Sequence, residues 1–355
     1  MRVALVYDRL NKVGGAESVL IEFSKLFPHA DWYTSFWDPS SATFSSSWHV
    51  HSFPYLHQHH EWFPWVMPFI FESYDFSSYD LVISIGSAEA KGIITRPGTF
   101  HLHYCLTPTR YLYSHAREYL SNPLYRFIAH FLRRWDLVAS TRPDEMIAIS
   151  THVKNRIKKY YKRNSLVIFP PVDTKRFSLT GTRENRITGL PNDYFLVVSR
   201  LVPYKKIEIL VQAANLSGKS LVIIGEGSEQ ARLQRLAGPT VHFLGHVDDQ
   251  DLPRYYANCL AYLQANEEDF GIAMCEAQSA GKPVIAYGQG GVTDIIKHGI
   301  TGILVELGTV AGFKRAMMEF DPTAFSSSVC RNNAARFDQA IWKKTMQQKL
   351  QQVCR

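Results

Sequence analysis

Short apolar runs alternate with amphipathic stretches twice along this chain, and a pair of adjacent prolines separates the two series. In the first series the apolar runs occupy residues 3–7, 32–35, 81–85, 100–105 and 146–149. Each is bounded by polar residues or glycine, as strands buried on both faces of a parallel sheet are. Helical periodicity fits residues 16–27, 124–139 and 151–161. The segment Phe169-Pro170-Pro171-Val172-Asp173 then breaks the rhythm, because proline continues neither a helix nor a central strand. A second series restarts with residues 194–199, 221–224, 242–244, 260–263 and 284–286, and residues 338–353 read as a helix with a polar face. Two such series imply an α/β protein with two doubly wound sheets. A chain of 355 residues is long enough for two cores.

Composition narrows the class. The hydrophobic fraction is 46% and the charged fraction 20%, ordinary for a soluble globular protein. Lys plus Arg number 39 and Asp plus Glu 32, a net charge of +7. That excess suits an anionic ligand or an anionic membrane surface and is too mild to argue for nucleic acid. Cys105, Cys259, Cys275, Cys330 and Cys354 are odd in number and lack CxxC spacing, which predicts free thiols in a reducing compartment. The opening apolar run meets Asp8 at once, so no signal peptide is expected. No apolar stretch approaches the ~18 residues of a membrane-spanning helix. The expected location is the cytoplasm, with contact at the inner face of the membrane.

Four features of the second half suit one anionic ligand. Residues Ser199-Arg200-Leu201-Val202-Pro203-Tyr204-Lys205-Lys206 link a strand to a helix. Ligands of doubly wound sheets bind at strand carboxyl ends, where Arg200 and Lys205 can converge on a diphosphate; a basic surface turn is the alternative. Gly225-Glu226-Gly227 follows the next strand, and glycines allow close backbone approach there. Many strand-to-helix turns look the same. A helix starting near Gly271 would point its free amides at a phosphate. Glu268 and Glu276 lie eight residues apart, roughly 12 Å along a helix, and can address opposite ends of an elongated ligand. Carboxylates suit sugar hydroxyls because they accept strong hydrogen bonds. Helix-dipole stabilisation would account for Glu267, Glu268 and Asp269, but not for Glu276 inside the apolar run. Gly288-Gln289-Gly290-Gly291 supplies a further glycine-rich turn.

Together these residues resemble the C-terminal domain of retaining GT-B glycosyltransferases of family four, the glycosyl transferases group 1. The pattern E-x-F-G-x-x-x-x-E-A-x-A-x-G-x-P-V is met by Glu268, Phe270, Gly271, Glu276, Ala277, Gly281, Pro283 and Val284, and R-L-x-x-x-K by Arg200, Leu201 and Lys205. In the first half, Val13-Gly14-Gly15-Ala16-Glu17 is similar to the GG followed by AE that opens the N-terminal domain of mannosyltransferase-like members. It is not GxGxxG, so a nicotinamide dinucleotide site is not expected. The chain resembles O-antigen and capsule mannosyltransferases, which read Y-C-H-T-P-x-R-Y where this sequence has Tyr104-Cys105-Leu106-Thr107-Pro108-Thr109-Arg110-Tyr111. Leu106 stands where their histidine would be. Strand alternation turns His101 and His103 to the opposite face from Tyr104 and Leu106.

The resemblance implies a GT-B fold of two Rossmann-like domains facing a central cleft. Residues 1–170 would bind the acceptor and residues 171–337 the nucleotide sugar, with helix 338–355 returning to the first domain. It implies catalytic roles for Arg200, Lys205 and Glu268. Donor contacts would come from Gly15, Gly225, Gly227, Val247, Phe270, Gly271, Ile272 and Glu276, and acceptor contacts from Gly14, His103 and Arg110. Arg200 and Lys205 would neutralise the departing diphosphate, Glu268 would hold the sugar, Glu276 the ribose, and the stretch around Val247 the base. The implied activity is metal-independent, cofactor-free transfer of a hexose from a GDP- or UDP-sugar, mannose by resemblance. The acceptor would be lipid-linked or a polysaccharide such as lipopolysaccharide. Alternatives are an inactive nucleotide-sugar-binding partner subunit, as Leu106 suggests, or a GT-B epimerase or phosphorylase.

Four other stretches stand apart from these features. Trp62 to Phe71 is strongly apolar. Arg126, His130, Arg133 and Arg134 interleave with Phe127, Ile128, Phe131, Leu132 and Trp135, which fits a helix lying on an anionic leaflet or a core-packing helix with a basic outer face. His57, His59 and His60 lack companion ligands and read as surface loop. Asp249-Gln250-Asp251 matches DxD, the metal signature of the other glycosyltransferase fold, and reads here as a helix cap.

Overall fold

The computed structural model describes residues 1–12, 14–53, 65–114, 116, 123–178 and 187–353. Val13, His57, His59, His60, Trp62, Phe63, Pro64 and Cys354 therefore lie outside the described residues. The chain divides into two compact units, one comprising Met1–Pro171 with Trp342–Arg355, the other Val172–Ile341. The division falls beside the paired prolines.

The first unit is built on seven strands: β1 (Val3–Tyr7), β2 (Asp31–Thr34), β3 (His49–His51), β4 (Leu81–Gly86), β5 (Phe100–Cys105), β6 (Glu145–Ala148) and β7 (Leu166–Val167). They run parallel in the order β3-β2-β1-β4-β5-β6-β7. Every residue of β4 is buried, as a strand covered on both faces requires. Strands β3 and β7 carry no apolar run long enough to announce them. The last helix, Gln339–Val353, buries Trp342, Met346 and Leu350, a stripe at four-residue spacing. Within the first unit the Trp342 ring meets Phe23 edge-on at 5.0 Å, and Lys349 pairs with Glu145.

Helix Pro123–Ala139 turns Ala129, Leu132, Asp136 and Ala139 inward. Its outer face exposes Phe127, Phe131, Leu137 and Val138 beside Arg126, His130, Arg133 and Arg134. That face is therefore apolar as well as basic. Among the described residues no helix is long and apolar enough to cross a membrane.

The second unit carries β8 (Phe195–Val198), β9 (Leu221–Ile224), β10 (Val241–Gly245), β11 (Tyr262–Gln264), β12 (Val284–Tyr287) and β13 (Gly302–Val305), in the order β10-β9-β8-β11-β12-β13. Val197, Ile223, Leu263 and Ile285 pack beneath Leu210, Val211, Phe313 and Met317 of two covering helices. Asp251 stands at the start of helix Leu252–Asn258, but its carboxylate caps no backbone amide and instead faces Arg254 at 3.7 Å. The capping hydrogen bond expected of the DxD segment is absent because Asp251 already has near-helical backbone angles, φ −91° and ψ −22°; a capping side chain needs an extended residue.

In each sheet the strand order reverses once, between β1 and β4 and between β8 and β11. The carboxyl ends at such switch points are where open α/β sheets take ligands.

Candidate functional site

At the second switch point, Lys205 follows β8 and Glu268 follows β11, and the ammonium meets carboxylate Oε1 directly. Each side chain keeps 17% exposure. Gln264 Nε2 and Asn266 Nδ2 donate to the same oxygen at 3.3 and 3.1 Å. Sequence reasoning gave Lys205 and Glu268 separate roles; 63 residues apart, their pairing carries no local signal. Arg200 is exposed and donates to Tyr204 Oη at 2.7 Å within its own turn, so the two cations of the segment point to different partners.

The glycines of this rim meet the protein's own backbone. Gly225 has φ +125°, and a Cβ there would lie 2.0 Å from the Ser199 carbonyl oxygen. Gly227 packs likewise on Leu201, whose amide donates to the Glu226 carbonyl at 2.8 Å. Gly290 has φ +95°, and its Cβ would fall 2.4 Å from the Glu268 carbonyl oxygen. Gly291 N donates to that oxygen at 2.7 Å. The loops after β8, β9, β11 and β12 are thus tied side by side, and the glycines fix where Glu268 stands.

Helix Ile272–Ser279 starts at Gly271, φ +118°, directly after this loop. First-turn amides of a helix have no partner within it and favour an anion. Phe270 anchors the turn, its ring 5.3 Å from Phe337. Glu276, one turn in, accepts from Tyr256 Oη at 2.8 Å. Burial pushes its carboxyl up to about 7, opposed by the Tyr256 hydrogen bond and the Arg176 charge. Val247 lies beyond β10, half-buried, beside exposed His246, whose amide donates to Glu226 Oε1 at 3.2 Å.

In the first unit, Gly14 and Gly15 open helix Gly15–Leu26. Glu17 is buried there and accepts from Tyr7 Oη at 3.1 Å. His103 is 1% exposed, with Nδ1 2.9 Å from Ser84 Oγ and 3.2 Å from the Ser84 carbonyl. Burial drives its pKa well below the ordinary histidine value. A ring so enclosed is not presented to an acceptor, which corrects its place among the acceptor-side candidates. Arg110 stays half-buried in the turn beyond β5.

A set of buried charges at the first switch point escaped sequence reasoning. Asp8 accepts from the amides of Ser87, Ala88 and Ala90 at 2.7, 3.0 and 2.9 Å. Glu89 faces Arg9 at 3.5 Å and accepts from Tyr111 Oη at 2.5 Å. Lys91 reaches Asp136 at 2.5 Å and Thr109 at 3.1 Å. The available signal was an acid directly after an apolar strand, and charges inside the otherwise apolar stretch 83–94.

Residues 183–334 match the family described as glycosyl transferases group 1. D-rhamnosyltransferase WbpZ of Pseudomonas aeruginosa is 31% identical over 230 residues, covering 61% of this chain and 58% of that protein. A GDP-mannose-dependent alpha-mannosyltransferase of Mycobacterium tuberculosis is 36% identical over 141 residues, 39% of this chain and 37% of that one. The chain thus aligns with less than two thirds of the length of these curated relatives. The structure of Anabaena HepE in complex with UDP-glucose superposes with a TM-score of 0.72 at 22% identity, covering 99% of this chain and 100% of that one. The fold is GT-B. The GT-B match spans both parallel-sheet units, whereas the group 1 match is confined to the second.

Proposed function

We propose that this GT-B chain transfers a hexose from a nucleoside diphosphate sugar to a lipid-linked or polysaccharide acceptor, with retention at the anomeric carbon and without a metal ion. The observation that carries the proposal is the Lys205–Glu268 pair at the second switch point, directly before the amino end of helix Ile272–Ser279. Residues 171–337 take the donor and residues 1–170 the acceptor. An arriving diphosphate draws Lys205 and Arg200 to itself and lies against the helix amides, which stabilise charge on the leaving group as the sugar–phosphate bond breaks. Glu268, released from Lys205, accepts hydrogen bonds from the sugar. Glu276 takes the ribose diol, whose two O–H donors favour the ionised carboxylate. Val247 completes the donor side within the second unit, and Gly14 and Arg110 of the first unit serve the acceptor. The departing phosphate takes the acceptor proton.

GDP-mannose is the donor favoured by the mannosyltransferase relatives, and UDP-glucose the competitor favoured by the HepE complex. The exposed rings and cations of helix Pro123–Ala139 suit the inner face of an anionic membrane, where a lipid-linked acceptor resides. Turnover of GDP-mannose and UDP-glucose by the wild type and by Glu276→Ala tests the site; unchanged donor turnover in the variant places the donor elsewhere.

A second reading, a donor-binding partner that transfers nothing, is favoured by Leu106. Where the resembling family has a histidine this chain has none, and enclosed His103 does not replace it. Measurable donor hydrolysis argues against that reading.

A further inference from the structure

One edge of the first sheet carries a cluster that sugar transfer leaves unused. The parallel register sets Asp31 of β2 opposite His49 of β3, and Tyr33 opposite His51. Residues two apart on a strand share a face, so both imidazoles stand on the same side. His49 Nδ1 lies 2.5 Å from Asp31 Oδ1, and His51 Nε2 lies 3.8 Å from that same oxygen. One ligand atom from each of the three residues lies within 4.8 Å of the others.

The surroundings hold these groups in place. Asp31 Oδ2 accepts from Tyr79 Oη at 2.5 Å, and Tyr79 is in turn bonded to Tyr33 Oη at 2.9 Å. The carboxylate is thereby oriented through one oxygen, leaving the other toward the imidazoles, as outer partners of metal ligands do. The His51 ring stacks on Tyr33 with centroids 4.6 Å apart and planes 15° from parallel. The His49 and His51 side chains are 74% and 40% exposed, so an ion has an open path.

We propose that Asp31, His49 and His51 bind one Zn²⁺ ion, with water completing its coordination. Two imidazoles and one carboxylate suit zinc, whereas magnesium and calcium take oxygen ligands. Tetrahedral bonds of about 2.0–2.1 Å separate neighbouring ligand atoms by roughly 3.3 Å, a value bracketed by the two separations to Asp31 Oδ1, so side-chain rotations suffice. The ion ties β3, an edge strand of three residues, to β2. This site owes nothing to the sugar-transfer proposal.

The test titrates Zn²⁺ into the metal-free full chain by calorimetry and follows the thermal midpoint. One site per chain is expected, with a rise of about 5 °C in saturating zinc. His49→Ala and His49→Ala/His51→Ala are expected to lose affinity at least about tenfold along with that rise, while keeping the metal-free midpoint of the wild type. Failure of the wild type to bind Zn²⁺ overturns the proposal. So does wild-type affinity in both variants, which would put the ion on other residues.

Discussion

Arg9 follows β1 and faces Glu89, which follows β4; Lys205 follows β8 and touches Glu268, which follows β11. Both pairs bridge the switch point of their own sheet, and they are used differently. Glu89 is 1% exposed and bonded to Tyr111, with its pKa raised by burial against the pull of Arg9. Beside it, Asp8 is occupied by three backbone amides, and Lys91 and Asp136 are sealed together. The difference lies in the acids: the Glu268 side chain keeps 17% exposure where that of Glu89 keeps 2%, while Arg9 and Lys205 both reach solvent, and the other donors to Glu268 are the side-chain amides of Gln264 and Asn266. In the first sheet the switch-point charges are consumed by the fold. In the second, the proposed function has them exchange their mutual bond for a ligand.

The sharpest way to break that contrast is Asp8→Ala. Two buried amides and one partly buried amide lose their acceptor, and unsatisfied buried donors cost about 1–3 kcal/mol each, about 3–5 kcal/mol together. Denaturant unfolding of the first domain should move by that amount. A shift under about 1 kcal/mol would mean that Asp8 is no more committed to the fold than Glu268 is. The companion change, Lys205→Ala, should leave unfolding within about 1 kcal/mol of wild type, since partly exposed ion pairs contribute little. Donor turnover should fall about 10²–10³-fold, as when one preorganised charge stabiliser is lost. Loss of stability without loss of turnover would make Lys205–Glu268 a structural pair like its counterpart.

The same contrast explains what could be foreseen from the sequence. Strands β1, β5 and β9 match their apolar runs residue for residue, because burial on both faces demands such runs. Strand β3 is His-Val-His and β7 has two residues; pairing to a neighbour makes them strands, and pairing leaves no local trace. The residues proposed for the donor side stand out because glycine, Pro283 and paired carboxylates recur at short spacing. The assembled loops give the glycines a requirement of their own. Gly225 and Gly290 are required by carbonyls of the protein itself, which come near only once the loops are assembled. Asp8, Glu89 and Lys91 were illegible because their partners lie up to 82 residues away. His103 was placed on the correct strand, yet alternation alone could not tell that its ring would close on Ser84.

Glu276 sharpens the comparison with the smallest effect and the most diagnostic sign. Its folded pKa, about 7, lies above the ordinary glutamate value of 4.5 because burial penalises the charge. A group whose pKa is raised by folding contributes its stability in full below about pH 4.5 and loses it as pH rises through about 7. At pH 8 the ligand-free protein therefore carries an ionised, desolvated carboxylate at a cost of about 1–3 kcal/mol. Glu276→Gln removes that charge and should raise the thermal midpoint at pH 8, with no gain near pH 4.5. It should also weaken donor binding about tenfold, because the amide offers a diol one acceptor oxygen in place of two. In the wild type, donor affinity should decline as pH falls through about 7, as the carboxylate takes up a proton. Asp8 gives the opposite outcome, its removal destabilising the fold at pH 8. If Glu276→Gln destabilises the ligand-free protein at pH 8 as Asp8→Ala does, then the second unit also spends its half-buried carboxylate on folding, and the distinction between the two switch points fails at this residue.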